Sequence, residues 1–207
     1  MRTPAKLLLI DCSSEAEDRV DQMNREHPRV ISDRRARFTF SAYDAATMQS
    51  PVTHDRVWID KQSPEVFHAL NSVAFAIRNA AAAADLDRAV MELVNVRVSQ
   101  LTGCPFCLDL HSRAARDAGV TQQQLDVLTA WRRSPYLFTE LQQAALSVAE
   151  TVTSLPDEES MQREYAAARQ HISDDQMSVL IWAATTIGAF NRVSIMSKHP
   201  VRVRKEN

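Results

Sequence analysis

Residues 84–111 read ADLDRAVMELVNVRVSQLTGCPFCLDLH, and this stretch decides the fold. Its first part, 84 to 102, carries Leu86, Val90, Leu93, Val94, Val96, Val98 and Leu101 at helical spacing, apolar nearly all round in the middle. A helix of that kind belongs inside a protein, because it has no polar face to turn to water. Gly103 stops it, since glycine takes the left-handed conformation that closes helices without a Cβ penalty. Pro105 then sits where a following helix begins and its missing N–H is harmless.

The flanking sequence repeats this helical grammar. Ser63 before Pro64 reads as a cap and first position, with Val66, Leu70, Val73 and Ile77 as the stripe. Gly119 ends the helix that Pro105 opens. Thr121 with Gln124, Thr139 with Gln142 and Ser173 with Gln176 have the spacing of capping boxes. They open helices predicted over 122–132, 140–153 and 174–196, and a further helix fits 157–170 after Pro156. The last helix carries Val179, Leu180, Trp182, Ile187, Phe190, Val193 and Ile195 and is expected in the core. Met91, Trp131 and Trp182, all at helical spacing, are expected there too. Only three glycines occur, too few for the turns and phosphate loops of a β-rich or nucleotide-binding α/β protein. The expectation is all-α, a helical bundle.

At 207 residues the chain suits one core domain plus an extension. Residues 1–56 are dense in charge and lack a sustained helical stripe, and we read them as an N-terminal extension. Within it Lys6–Asp11 resembles a short strand and Ser14–Arg25 a polar helix. Residues 57–207 form the helical domain. A formal net charge of -2 offers no electrostatic footing for nucleic acid or an anionic membrane. The apolar run Leu7–Ile10 is too short for an export signal, so a cytoplasmic location is expected. In a reducing compartment a CxxC pair is catalytic or metal-binding more often than a structural disulfide.

That pair is Cys104 and Cys107, with His111 four residues on. Placed on one helix, the three form a single stripe. Alpha carbons three apart lie roughly 5 Å from each other, inside the range a disulfide tolerates. Unpaired N–H groups at the helix start stabilise a thiolate, and lowering a thiol pKa from about 8.5 to about 7 raises the nucleophile more than tenfold. Which sulfur attacks stays open on these grounds. The helix terminus favours Cys104, whereas His111 favours Cys107 as a neighbouring base. Glu92 lies twelve residues before Cys104 on the apolar helix. A carboxyl in such surroundings is expected to have a raised pKa and to relay protons, provided the two helices pack antiparallel around Gly103. Two plainer readings exist. The cysteines can be small buried hydrophobes, or half a zinc site with His111 and Glu92. Cys12 has no partner in sequence, and His27, His54, His68, His171 and His199 stand alone and receive no role.

At these residues the chain resembles the AhpD-like alkylhydroperoxidases of the carboxymuconolactone decarboxylase-like superfamily. The matching features are Glu92, Arg97 through Cys107, His111, Ala118-Gly119-Val120 and Asn191-Arg192, and the resemblance covers roughly residues 57 to 200. It implies an all-α AhpD-like bundle assembled as a homo-oligomer, trimer or hexamer. It implies that Cys107 attacks a hydroperoxide, that Cys104 resolves it, and that Glu92 and His111 relay protons. No cofactor or metal is implied. The electron donor would be a dithiol such as a lipoyl or thioredoxin-like protein, with neither nucleic acid nor membrane as partner. Some peroxidases of the family carry a histidine just before the second cysteine; here Phe106 stands there. A dithiol–disulfide oxidoreductase with little peroxide turnover is the rival enzyme reading, and a zinc-binding or scaffold protein the non-enzymatic one.

Overall fold

A computed structural model describes residues 56–204, which fall within one compact unit, Val52–Asn207. The strand expected at Lys6–Asp11, the helix at Ser14–Arg25, and Cys12, His27 and His54 lie outside the described residues. Among those described there are α-helices, 3-10 turns and no strand. In order they are α1 (Ile59–Gln62), α2 (Pro64–Ala83), α3 (Arg88–Thr102), α4 (Pro105–Asp117), α5 (Gln122–Val127), α6 (Glu140–Ser154), α7 (Glu158–Ala168) and α8 (Asp174–Ser197). Two 3-10 segments, Leu128–Arg133 and Pro135–Leu137, join α5 to α6.

Helix α3 is the axis of the bundle, packed by α4, α6 and α8. One of its sides supplies Val90, Val94 and Val98 to a core shared with Ala145, Val148 and Ala149 of α6 and Leu180, Ala184 and Ile187 of α8. The other side gives Leu93 and Val96 to a second core with Ala115, Leu128, Trp131, Phe138 and Leu146. Leu93, Leu128, Leu146 and Leu180 are fully buried, each contributing about 1.5–3 kcal/mol over an exposed position. A helix that feeds two cores needs apolar residues around most of its circumference, which is the pattern seen in its sequence.

Local signals set most boundaries. All three predicted capping boxes form, at Thr121, Thr139 and Ser173. Gly103 adopts φ 70 and Gly119 φ 94, both left-handed. The helix expected from 84 begins later, at Arg88, because Asp85 turns the chain at φ 55 and Asp87 caps α3 by accepting from the Val90 N–H at 2.8 Å. Pro64 opens α2 as predicted, yet the Ser63 side chain makes no cap bond. The helix expected over 122–132 tightens into a 3-10 turn after Val127, broken at Ala130 by φ -120.

The core assignments divide. Trp131 is buried and Met91 packs against the first core. Trp182 is 58% exposed, because Val179, Leu180, Ala183 and Ala184 already fill the inward face of its helix. Leu101, likewise, is exposed at the end of α3. Helix α8 is long and apolar enough to cross a membrane by length and composition, but half of its most apolar stretch is buried inside the bundle as core.

Candidate active site

The turn between α3 and α4 builds the site. Gly103 closes α3, its N–H reaching the Gln100 carbonyl at 3.3 Å while the Cys104 N–H reaches that of Ser99 at 3.1 Å. The sequence reading puts Cys104 on the helix itself; it is instead the N-cap of α4, extended at φ -87 and ψ 102. Its Sγ accepts from the Cys107 N–H at 3.3 Å. Sulfur therefore occupies the place that a serine or aspartate oxygen usually takes at a helix start. Cys104 and Cys107 are joined by a disulfide, with alpha carbons 5.4 Å apart. Cys104 is fully buried and Cys107 nearly so.

His111 lies one turn further along α4. The helices do run antiparallel about Gly103, and this brings His111 Nδ1 to 2.8 Å from Glu92 Oε2. Both side chains are mostly buried, at 16% and 13% exposure. Glu92 also accepts from the Asn95 amide at 3.3 Å and lies 3.8 Å from the Arg88 guanidinium. Burial is the largest single influence on this carboxyl and pushes its pKa up. The hydrogen bond and charge of His111, joined by Asn95 and Arg88, outweigh it, so Glu92 sits below its ordinary value. The expectation of a raised pKa is thereby corrected: it considered only the apolar neighbours in sequence, and the groups that reverse the shift arrive from the next turns and from α4. An ionised carboxylate can only accept, so with Glu92 ionised it is His111 Nδ1–H that donates in this bond.

The catalytic candidates drawn from sequence fall in two pairs on the α3–α4 hairpin: Cys104 at the turn with Cys107 on α4, and Glu92 on α3 with His111 on α4. Other residues, to which sequence reasoning gave no role, pack on the same helices. Asn95 and Arg88 stand three and four residues from Glu92, and helical spacing alone points to them. Asn191 of α8 is fully buried and bonded to Ser99 and Thr102 at the end of α3. His199, which sequence leaves alone, has partners. Its Nε2 is 3.1 Å from Asp60 Oδ1 and its Nδ1 3.3 Å from Ser194 Oγ. Its ring meets Phe106 edge-on at 5.5 Å and Trp58 at 5.4 Å. Arg204 pairs with Asp109, so the segment after α8 lies along the Phe106–Asp109 side of α4. No short-range pattern links residues 139 positions apart, as Asp60 and His199 are. His171, also left alone by sequence, lies 3.3 Å from Glu140.

Among the described residues no group of three or more His, Cys, Asp or Glu side chains is arranged to hold a metal ion. Both sulfurs are engaged with each other, and Glu92 and His111 likewise.

The region that carries these groups is the one shared with known proteins. Residues 64–151 match the carboxymuconolactone decarboxylase family. YdfG of Bacillus subtilis, an uncharacterised protein, is 34% identical over 110 residues, covering 53% of this chain and 74% of that protein. YnjA of Escherichia coli, also uncharacterised, is 34% identical over 71 residues, 34% of this chain and 38% of its own length. A crystal structure from Agrobacterium tumefaciens, of a protein of unknown function provisionally named as the antioxidant defence protein AhpD, superposes with TM-score 0.65 and 26% identity. That match covers 72% of this chain and 99% of the other. The family match spans α3 and α4, and the backbone match covers most of the chain: the chain belongs to the carboxymuconolactone decarboxylase family and has the AhpD-like fold.

Proposed function

We propose that the protein is a thiol-dependent peroxidase that cycles Cys104 and Cys107 between dithiol and disulfide. The observation that carries this reading is the His111–Glu92 pair at 2.8 Å, set one helical turn from a CxxC already joined as a disulfide. In the reduced enzyme the Cys107 thiolate attacks the terminal oxygen of a hydroperoxide. The O–O bond breaks, Cys107 becomes a sulfenic acid, and the departing alkoxide takes a proton from His111. Cys104 then attacks the sulfenic sulfur. His111 takes the proton of the Cys104 thiol and passes it to the departing hydroxide, which leaves as water as the S–S bond forms. A dithiol donor, such as a lipoyl or thioredoxin-like protein, reduces the disulfide by exchange. Glu92 stabilises the protonated imidazole between these steps.

The test is Cys107→Ser with tert-butyl hydroperoxide. Peroxide consumption is expected to fall to background, and undiminished consumption rules the mechanism out. A second reading is favoured by Phe106, which puts an aromatic ring, not an ionisable group, between the two cysteines. On it, the same pair exchanges disulfides with a partner and turns over little peroxide. Comparing turnover of a disulfide substrate with turnover of peroxide separates them. In the zinc-binding reading the purified protein would carry stoichiometric metal that blocks thiol titration, which elemental analysis detects.

Self-association belongs to the same proposal. Helix α2 leaves Val66, Val73 and Phe75 exposed, and α8 leaves Trp182 and Met196. We expect a homo-oligomer, trimer or hexamer, and light scattering showing a monomer at micromolar concentration refutes it. A cytoplasmic location would supply the reductant that the cycle requires.

A further inference from the structure

Asn191 is a polar side chain with no exposure on a helix whose inward face is otherwise mostly apolar. Both its partners lie on the last turn of α3. Its Nδ2–H donates to Thr102 Oγ1 at 2.8 Å, and its Oδ1 accepts from Ser99 Oγ at 3.3 Å. Thr102 in turn donates to the Val98 carbonyl at 2.9 Å. The Ser99 carbonyl accepts the Cys104 N–H at 3.1 Å. One amide on α8 therefore grips the turn from which Cys104 hangs, through the side chains of Ser99 and Thr102.

We infer that Asn191 is a positioning residue for Cys104, and that it raises the tendency of Cys104 and Cys107 to close into a disulfide. This rests on the thiol cycle proposed above. The physical reason is local concentration. Two groups held in reacting geometry behave as though at very high concentration toward each other, and small displacements remove much of that gain. Cys104 is the N-cap of α4, its carbonyl accepting the Leu108 N–H at 3.0 Å, in extended geometry beyond a left-handed glycine. Its carbonyl and sulfur are engaged by α4, and its N–H is held from the α3 side by the Ser99 carbonyl. An apolar residue at 191 would fill the same space but leave the hydroxyls of Ser99 and Thr102 without this partner. Buried groups in that condition relax to find other bonds, and the turn moves with them.

The experiment is equilibration of purified protein with mixtures of oxidised and reduced dithiothreitol, counting thiols by mass spectrometry. Asn191→Leu is compared with Thr102→Val, a milder change that keeps side-chain shape and removes the hydroxyl. Leu146→Ala serves as control, since it destabilises the second core away from this chain of bonds. Each of the first two variants is expected to lower the disulfide-forming equilibrium constant roughly tenfold, a rise of about 30 mV in reduction potential. Leu146→Ala is expected to lower the thermal midpoint and leave that constant within about twofold of wild type. If Asn191→Leu and Thr102→Val melt earlier yet equilibrate like wild type, Asn191 is structural only and the inference is overturned. Should wild type itself fail to interconvert, the thiol cycle falls first and the inference with it. Should wild type cycle and both variants equilibrate as it does, the inference alone falls.

Discussion

Replacing Glu92 by Gln isolates the contribution of charge at the site. The amide has nearly the size of the carboxylate, and its oxygen can still accept from His111 Nδ1 across the 2.8 Å that separates the pair. What disappears is the negative charge opposite the imidazolium. A hydrogen bond to a charged group contributes about 1.5–3 kcal/mol and a neutral one about 0.5–1.5 kcal/mol. The swap therefore removes about 1–1.5 kcal/mol from the protonated imidazole, close to a factor of ten. The assay is the rate of disulfide formation after mixing reduced protein with tert-butyl hydroperoxide, followed from pH 6 to 8. At pH 7 the variant should react about tenfold more slowly if imidazolium donates the proton, by the same conversion. A rate within twofold of wild type across that range would refute the relay and leave Glu92 as a packing partner of His111. Stability supplies an independent readout. The Glu92 pKa is lowered by folding, so its contribution is present above the ordinary glutamate value of 4.5 and is lost as pH falls through the folded value. The Glu92→Gln curve should lie below wild type at pH 7 and converge with it in acid.

Other perturbations test the scaffold. Gly103→Ala places a Cβ in open space, with nothing within 4 Å, but at φ 70; a loss of about 1–2 kcal/mol in urea unfolding is expected from backbone strain alone. Leu146→Ala removes a fully buried side chain and should cost about 2–5 kcal/mol by the same measurement. Glu150 binds Arg97 at 2.7 Å, the Trp131 indole at 2.9 Å and Arg132 at 2.9 Å. Burial pushes its pKa up, and those three donors bring it below the ordinary value. Glu150→Ala leaves the mostly buried Arg97 without its carboxylate and should cost about 3 kcal/mol, the low end for a broken buried pair, measured by calorimetry. Removing Glu150 should also flatten the loss of stability below pH 4.5, because it too contributes only while ionised.

What the sequence revealed and what it hid follow from the range of the interactions. Capping boxes span three residues, and Thr121, Thr139 and Ser173 were all legible for that reason. Gly103 and Pro105 announce the turn through backbone chemistry alone. Glu92 and His111 were nameable, but their meeting depended on how two helices fold back. The direction of the Glu92 shift was misjudged because burial can be guessed from flanking residues, whereas a partner on another helix cannot. Trp131 and Trp182 illustrate the same limit. Each sits at helical spacing, and only the packing of neighbouring helices makes one buried and the other exposed. The Asp60–His199 contact has no local signature at all, nor does the grip of Asn191 on Ser99 and Thr102.

The fastening of the C-terminal segment to α4 has a practical side. His199 rests against Phe106, and Arg204 meets Asp109. A purification tag, fluorophore or surface tether joined just beyond Arg204 is thus attached next door to the sulfur-bearing helix. Kinetics recorded on C-terminally fused protein would mix the chemistry of the cysteines with the drag of the attachment. The same proximity makes that end a convenient place for a reporter, since a dye there would sense any loosening of the first turn of α4.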